Sequence, residues 1–273
     1  MQSIQPPELL RALLAVKPHE RARNLTSGDK VPETVQRIRQ RLDAVFEDAI
    51  FHGRATANPA AAIRRKLTEG TPARKRGAFK ALPYREAQAF MTRLRAAEGT
   101  AARCLELAIL TASRTSEVLF AEWSEFDFQE GTFTLPAGRM KAGEPHTVFL
   151  PQRAIDIVKA QVGQHPRWVF PSTMKGCEDK PMSNMAMLAV LDRLGVRDKT
   201  TVHGLCRATF STWANETGAT RPDVIEACLA HEEGNKVRAA YNRATFNLER
   251  KTLLVAWAEF LSHSAQVIPL RAA

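Results

Sequence analysis

Apolar residues recur at helical spacing along most of this chain. Val35, Ile38, Leu42, Val45, Phe46 and Ala49 fall on one face of a 3.6-residue period and Gly53 follows as a stop, which predicts a helix over 33–52. Upstream, Ser3 and the Pro6-Pro7 pair precede a second apolar run through Leu9, Leu10, Leu13 and Leu14. Residues 1–66 therefore read as a small helical domain, short of a full one. Further on, Ala87, Phe90, Met91 and Leu94 mark a helix, and 101–112 form a strongly apolar one with Leu105, Leu107, Ile109 and Leu110. The clear strand signal is Thr132–Leu135 and Thr147–Leu150 around a polar turn, a β-hairpin pattern. Helical spacing then returns over 183–194, 207–217, 222–230 and 247–262. The pattern predicts a mainly α fold with a small antiparallel β-sheet (α+β), the second domain covering 81–273.

Between the two domains the pattern stops. The stretch RRKLTEGTPARKRGAFK over 64–80 has seven basic residues, one acidic residue, two Gly and a Pro, with no apolar period. It reads as a basic linker, 67–80 being the linker proper, that tracks a phosphate backbone; a solvated tether is the alternative. Charge supports the first reading. The net charge is +10, and residues 1–80 hold 16 Lys and Arg against 8 Asp and Glu, while 81–273 hold 23 against 21. A basic surplus gathered in one segment points to a polyanion, nucleic acid being a more common partner for such a chain than a membrane surface. Arg37 and Arg41, one turn apart on the 33–52 helix, and Arg64, Arg65, Lys66, Arg74, Lys75 and Arg76 are the candidate phosphate ligands. No run of apolar residues is long enough to span a bilayer, so a cytoplasmic, nucleoid-associated protein is expected. Cys104, Cys177, Cys206 and Cys228 form no zinc-type spacing, and neither metal nor cofactor is expected.

Only two tyrosines occur, Tyr84 and Tyr241, and Tyr241 follows His231 by ten positions in a stretch rich in arginine. A phenol beside a histidine and arginines has the groups for covalent attack on a phosphodiester. Three more segments supply residues of the same kind: Arg114 at the end of the apolar helix, Lys141 in the hairpin turn, and His203 with Arg207 in Thr201-Val-His-Gly-Leu-Cys-Arg-Ala-Thr-Phe210.

On these motifs the chain resembles the tyrosine recombinases, the phage and genomic-island integrase family. The family's T-G-x-R-x-x-E box carries an arginine, a strand-turn-strand a lysine, H-x-x-R a histidine and a second arginine, and L-G-H precedes the nucleophilic tyrosine. Residue by residue this implies Arg114, Lys141, His203, Arg207, His231 and Tyr241 as the catalytic set. Three departures stand out. Ser113 is read at the place of the family glycine, Ala230 replaces the Gly of L-G-H, and Arg207 follows His203 by four residues, with Cys206 where the family has its arginine. On a regular helix three and four residues' offset share a side, and deleting Cys206 would rotate all that follows by about 100°.

The resemblance implies a core-binding domain and a catalytic domain closing around duplex DNA, and a homotetramer on synapsed sites with a monomer possible without DNA. It also implies a further N-terminal arm-binding domain, to which nothing here corresponds; a truncated gene and a naturally short member are both open. In phosphoryl transfer the two arginines clamp nonbridging oxygens, Lys141 protonates the leaving 5′-oxygen, His203 takes the Tyr241 proton and His231 orients the phosphate. Glu117, one turn after Arg114, reads as an orienting partner for basic groups. A catalytically silent DNA-binding remnant and, more weakly, a type IB topoisomerase are the alternative readings.

Overall fold

The computed structural model describes residues 4–17, 32–70, 80–140, 143–231 and 244–262. The chain divides into two compact units, Met1–Ala78 and Phe79–Ala273. The smaller contains α1 (Pro6–Leu14), α2 (Pro32–Phe51), α3 (Pro59–Ala62) and α4 (Arg64–Gly70). Prolines occupy the first turns of α1 and α3, where a missing N–H costs nothing. Asn58 caps α3 by accepting from the Ala60 and Ala61 amides, each at 3.0 Å. Leu9, Leu13, Val35, Ala60, Ile63 and Leu67 form the core of this unit, with Ile38, Leu42 and Phe46 packed on it.

Two expectations change here. Val45 and Leu14 face outward, because the buried stripes run through Leu9 and Leu13 on α1 and Val35, Ile38, Leu42 and Phe46 on α2. The stretch from Arg64 to Gly70 is helix rather than linker. Ile63 and Leu67, four residues apart, supply a buried contact strip that is too short to show as a period, and Arg65 and Lys66 close ion pairs on Glu69 at 3.0 Å.

In the larger unit the central element is α6 (Thr100–Leu110), whose residues from Cys104 to Leu110 are all buried. An all-round apolar helix needs neighbours on every side. These are α5 (Tyr84–Ala96), α8 (Gln152–Lys159), α9 (Asn184–Arg193) and α12 (Asn247–Phe260). Glu106, the one carboxylate buried on α6, is neutralised by Arg95, Arg103 and Arg153 at 2.7 to 3.1 Å. Trp257 of α12 donates its indole N–H to the Ile109 carbonyl at 2.9 Å and joins Phe210, Trp213 and Phe260 in an aromatic cluster.

The sheet is antiparallel in the order β1 (Phe126–Asp127), β2 (Thr132–Leu135), β3 (His146–Phe149). Its register pairs Phe133 with Val148, and Phe126 stacks on Phe133 at 4.5 Å. The two-residue β1 strand is too short to show as alternation in the sequence. A short helix α7 (Thr115–Leu119), a π-helical turn at Gly204–Ala208 continuing into α10 (Thr209–Glu216), and α11 (Pro222–Cys228) complete the unit. Among the described residues no helix is long and apolar enough to cross a membrane.

Two outcomes are expected. A Cβ on Gly204 would lie 2.0 Å from the Lys80 carbonyl oxygen, so Gly204→Ala should cost at least about 2 kcal/mol in denaturant titration, backbone having to move to admit it. Burial, with Arg250 beside it, pushes the His146 imidazole down to about 4. The native state therefore refuses a proton that the unfolded chain accepts near pH 6.5. Stability should be intact above that pH and fall by up to about 3 kcal/mol as pH drops from 6.5 to 4. A His146→Gln variant should show a shallower acid loss in the same titration.

Candidate active site

Two helix ends and one π-helical turn bring four of the predicted residues together. The first reversal ends α6. Ala112 takes a left-handed backbone, φ 51°, with Ser113 N–H donating to Ala108 O at 3.1 Å and Ala112 N–H to Ile109 O at 3.3 Å, the two bonds of a Schellman termination. The position that asks for glycine is thus Ala112, one residue before the Ser113 read from the sequence; Ser113 is buried and accepts from Thr111 Oγ1 at 2.9 Å. The chain leaves this turn extended, and Arg114 caps α7. The Glu117 carboxylate accepts from the Arg114 backbone N–H at 2.6 Å and from its Nη1 at 2.7 Å, which fixes both the helix start and the guanidinium.

The second reversal ends α11 in the same way. Ala230 has φ 47°, Ala230 N–H donates to Ala227 O at 3.2 Å and His231 N–H to Glu226 O at 3.1 Å. Left-handed backbone costs a non-glycine residue on the order of 1 kcal/mol, and packing retains it at both alanines. His231 Nδ1 lies 2.6 Å from Glu226 Oε2.

The third element is the π-turn at Gly204–Ala208. The regular-helix account of the spacing between His203 and Arg207 is corrected here. A single extra residue in a helix is absorbed as a π-bulge, so His203 and Arg207 can face the same site while the additional Cys206 turns into the core, fully buried. The downstream helix is not rotated by about 100°, because the bulge takes up the offset. Gly204 admits the close approach of Lys80, whose carbonyl accepts from the Thr201 amide at 3.2 Å.

Both guanidiniums then tie the turns together. Arg207 Nη1 donates to Ala112 O at 2.9 Å, and Nη2 donates to Leu229 O and, at 2.8 Å, to His231 Nε2. Arg114 Nη2 donates to Ala230 O at 3.0 Å. Burial, and then the neighbouring Arg114 charge, push the Arg207 guanidinium down to about 10, so it stays cationic at neutral pH. Burial and the Arg207 and Arg114 charges also lower the His203 imidazole, which favours the neutral ring. Arg114 and His203 line one open cleft of about 670 Å³ with Phe120, Lys180, Ser183 and Asn184. Arg114 is paired with Glu117 at 2.7 Å and His231 with Glu226 at 2.6 Å, while Arg207 is held on backbone carbonyls and the His231 ring.

Lys141 and Tyr241 lie outside the described residues, as do Arg74, Lys75 and Arg76. In the smaller unit Arg37 pairs with Glu33 at 2.7 Å on an exposed face, and Arg41 and Arg64 are exposed. Exposed pairs such as those of Arg37, Arg65 and Lys66 hold little energy. Sequence reading missed Glu226, Lys180 and Ser183. For Glu226 the available signal was its place five residues before His231, across a helix end. Among the described residues no group of three or more His, Cys, Asp or Glu side chains is placed to hold a metal ion.

Comparison with known proteins places the chain in a family. Residues 80–247 match the phage integrase family and residues 1–66 the phage integrase central domain. Prophage integrase IntZ of Escherichia coli (strain K12) is 35% identical over 231 residues, covering 84% of this chain and 55% of that protein. The integrase of Enterobacteria phage P4 is 32% identical over 247 residues, covering 84% and 55%. The chain spans about half the length of the curated relatives it matches. Among solved structures, the Tn1549 transposon integrase in complex with a circular intermediate DNA superposes with a TM-score of 0.60 at 14% identity, covering 95% of this chain and 85% of that one. A lambda integrase dimer bound to a COC′ core site gives 0.57 at 16%, covering 85% and 81%. These likenesses are of fold, and with the family match over most of the larger unit they lead to one conclusion: the chain belongs to the phage integrase family, the tyrosine recombinases.

Proposed function

We propose that this protein is a site-specific DNA recombinase that breaks and rejoins strands through a 3′-phosphotyrosyl bond during integration or excision of a mobile element. The observation that supports it most is the meeting of Arg114, Arg207 and His231 through shared hydrogen-bond partners, with Arg114 and His203 lining one cleft. Arg114 and Arg207 would neutralise the nonbridging oxygens as charge develops on them. Tyr241 Oη would attack phosphorus, its proton passing to the neutral His203, while the P–O5′ bond breaks and Lys141 supplies the proton that leaves a 5′-hydroxyl. Religation is the reverse, with the 5′-hydroxyl of a partner strand as nucleophile. In this scheme protein cations carry the charge, and neither metal nor cofactor is required.

The basic segment with Arg74, Lys75 and Arg76, and Arg37, Arg41, Arg64, Arg65 and Lys66 of the smaller unit, would hold the duplex backbone. We assign 1–66 to core binding, 67–80 to the basic segment, with 67–70 the end of α4, and 81–273 to catalysis. A homotetramer on synapsed DNA is the assembly that strand exchange between two duplexes calls for, and the nucleoid is where it would act.

Incubation with a labelled duplex carrying the element's own junction should give a protease-sensitive covalent adduct. Tyr241→Phe should abolish the adduct with DNA affinity kept within about threefold, since only the nucleophilic oxygen is lost. An adduct surviving in that variant overturns the assignment, and none from the native protein favours the silent remnant. Arg207→Ala should lower cleavage on the order of 10²-fold. Deleting Cys206 should instead leave cleavage within about tenfold, the π-turn relaxing to α-helix with Arg207 still in place. A deletion as damaging as Arg207→Ala would contradict that account of the turn.

A further inference from the structure

Glu226 has no part in the chemistry just described, yet it contacts the site. Its carboxylate lies 2.6 Å from His231 Nδ1, and on the other edge of the same ring Arg207 Nη2 lies 2.8 Å from Nε2. A carboxylate only accepts hydrogen bonds and a guanidinium only donates them. One form of the ring satisfies both neighbours: neutral, with the proton on Nδ1 and the lone pair on Nε2. The other neutral tautomer would set a lone pair against the carboxylate and an N–H against the guanidinium, and the imidazolium would also oppose two N–H groups at Nε2.

Backbone geometry builds this contact in. With Ala230 left-handed and His231 N–H bonded to Glu226 O at 3.1 Å, the ring folds back over the last turn of α11 onto the side chain five residues earlier. Among the described residues, the other ionisable groups close to this cluster are Arg114, Glu117, His203 and Cys206.

We propose that Glu226 is a positioning residue that acts through His231 on Arg207. Its carboxylate selects the Nδ1–H tautomer, and the bare Nε2 then becomes the third acceptor, with the Ala112 and Leu229 carbonyls, that fixes the Arg207 guanidinium. In this state His231 orients a phosphate through Arg207. The consequence for cleavage rests on the recombinase reading; the tautomer is a property of the unliganded protein and can be tested without it.

The test is ¹⁵N NMR of the full chain labelled at histidine, with His231 assigned by substitution, alongside cleavage of the junction duplex. The native ring should show a protonated Nδ1 and a bare Nε2 at neutral pH. Glu226→Ala should move it toward the Nε2–H tautomer and lower cleavage about ten- to a hundredfold, the range for losing a hydrogen bond to a charged group. Glu226→Gln keeps an acceptor oxygen and should restore most of both. A native ring that is Nε2–H or doubly protonated, a Glu226→Ala ring still in the native tautomer, or a changed tautomer with unchanged cleavage would each overturn the proposal. Should the native protein cleave no duplex, the recombinase reading fails while the ring spectra still decide the tautomer.

Discussion

A buried guanidinium held mainly by backbone carbonyls organises the larger unit. Arg207 is 3% exposed, and its partners are the carbonyls of Ala112 and Leu229 and the ring of His231. Removing a cation from water is expensive unless its donors are met. Here Nη1 and Nη2 are met at the ends of two helices, α6 and α11, where carbonyls and the negative end of the helix dipole meet the charge, while the buried Nε has no hydrogen-bond partner among the described residues. Three segments distant in sequence are thereby fixed to one point. The neighbouring Arg114 is instead offset by a carboxylate, Glu117 at 2.7 Å, so the two guanidiniums of the site are held by different chemistry.

Backbone strain serves the same end. Ala112 and Ala230 both occupy the left-handed region that glycine adopts freely, and each directs the next few residues into the site: Arg114 after one, His231 after the other. The chain thus keeps the turn without the residue that makes it easy, the surrounding packing carrying the cost. Between them the π-turn performs a related task by absorbing the extra Cys206 into the core.

The larger unit shows how burial settles ambiguous chemistry. Glu106, deep in the apolar helix α6, is surrounded by three arginines, whereas the buried Arg207 and the half-buried His203 lie beside like charge that, after burial, lowers the pKa of both. A buried carboxylate met by cations has its desolvation compensated in place, whereas a buried cation beside like charge is held only by the groups that accept from it.

Much was legible in the sequence. Helical periods marked α2, α5, α6 and α12 and alternation marked the β2–β3 hairpin, since these signals are local, while resemblance to the family's motifs pointed to Arg114, His203, Arg207 and His231. Packing decided the rest. Arg64 to Gly70 joins the smaller core because Leu67 finds Leu9 and Ile63, a contact no local period announces. The glycine-demanding position proved to be Ala112 rather than Ser113, because helix termination is set by which carbonyls the turn can reach. Glu226 emerged only when a reversed backbone laid His231 over it. Residue types and spacings determined by themselves which groups this chain could bring to a phosphate; tertiary structure alone decided how they are held, because the holding atoms are mostly backbone carbonyls, which every residue has and no side-chain pattern distinguishes.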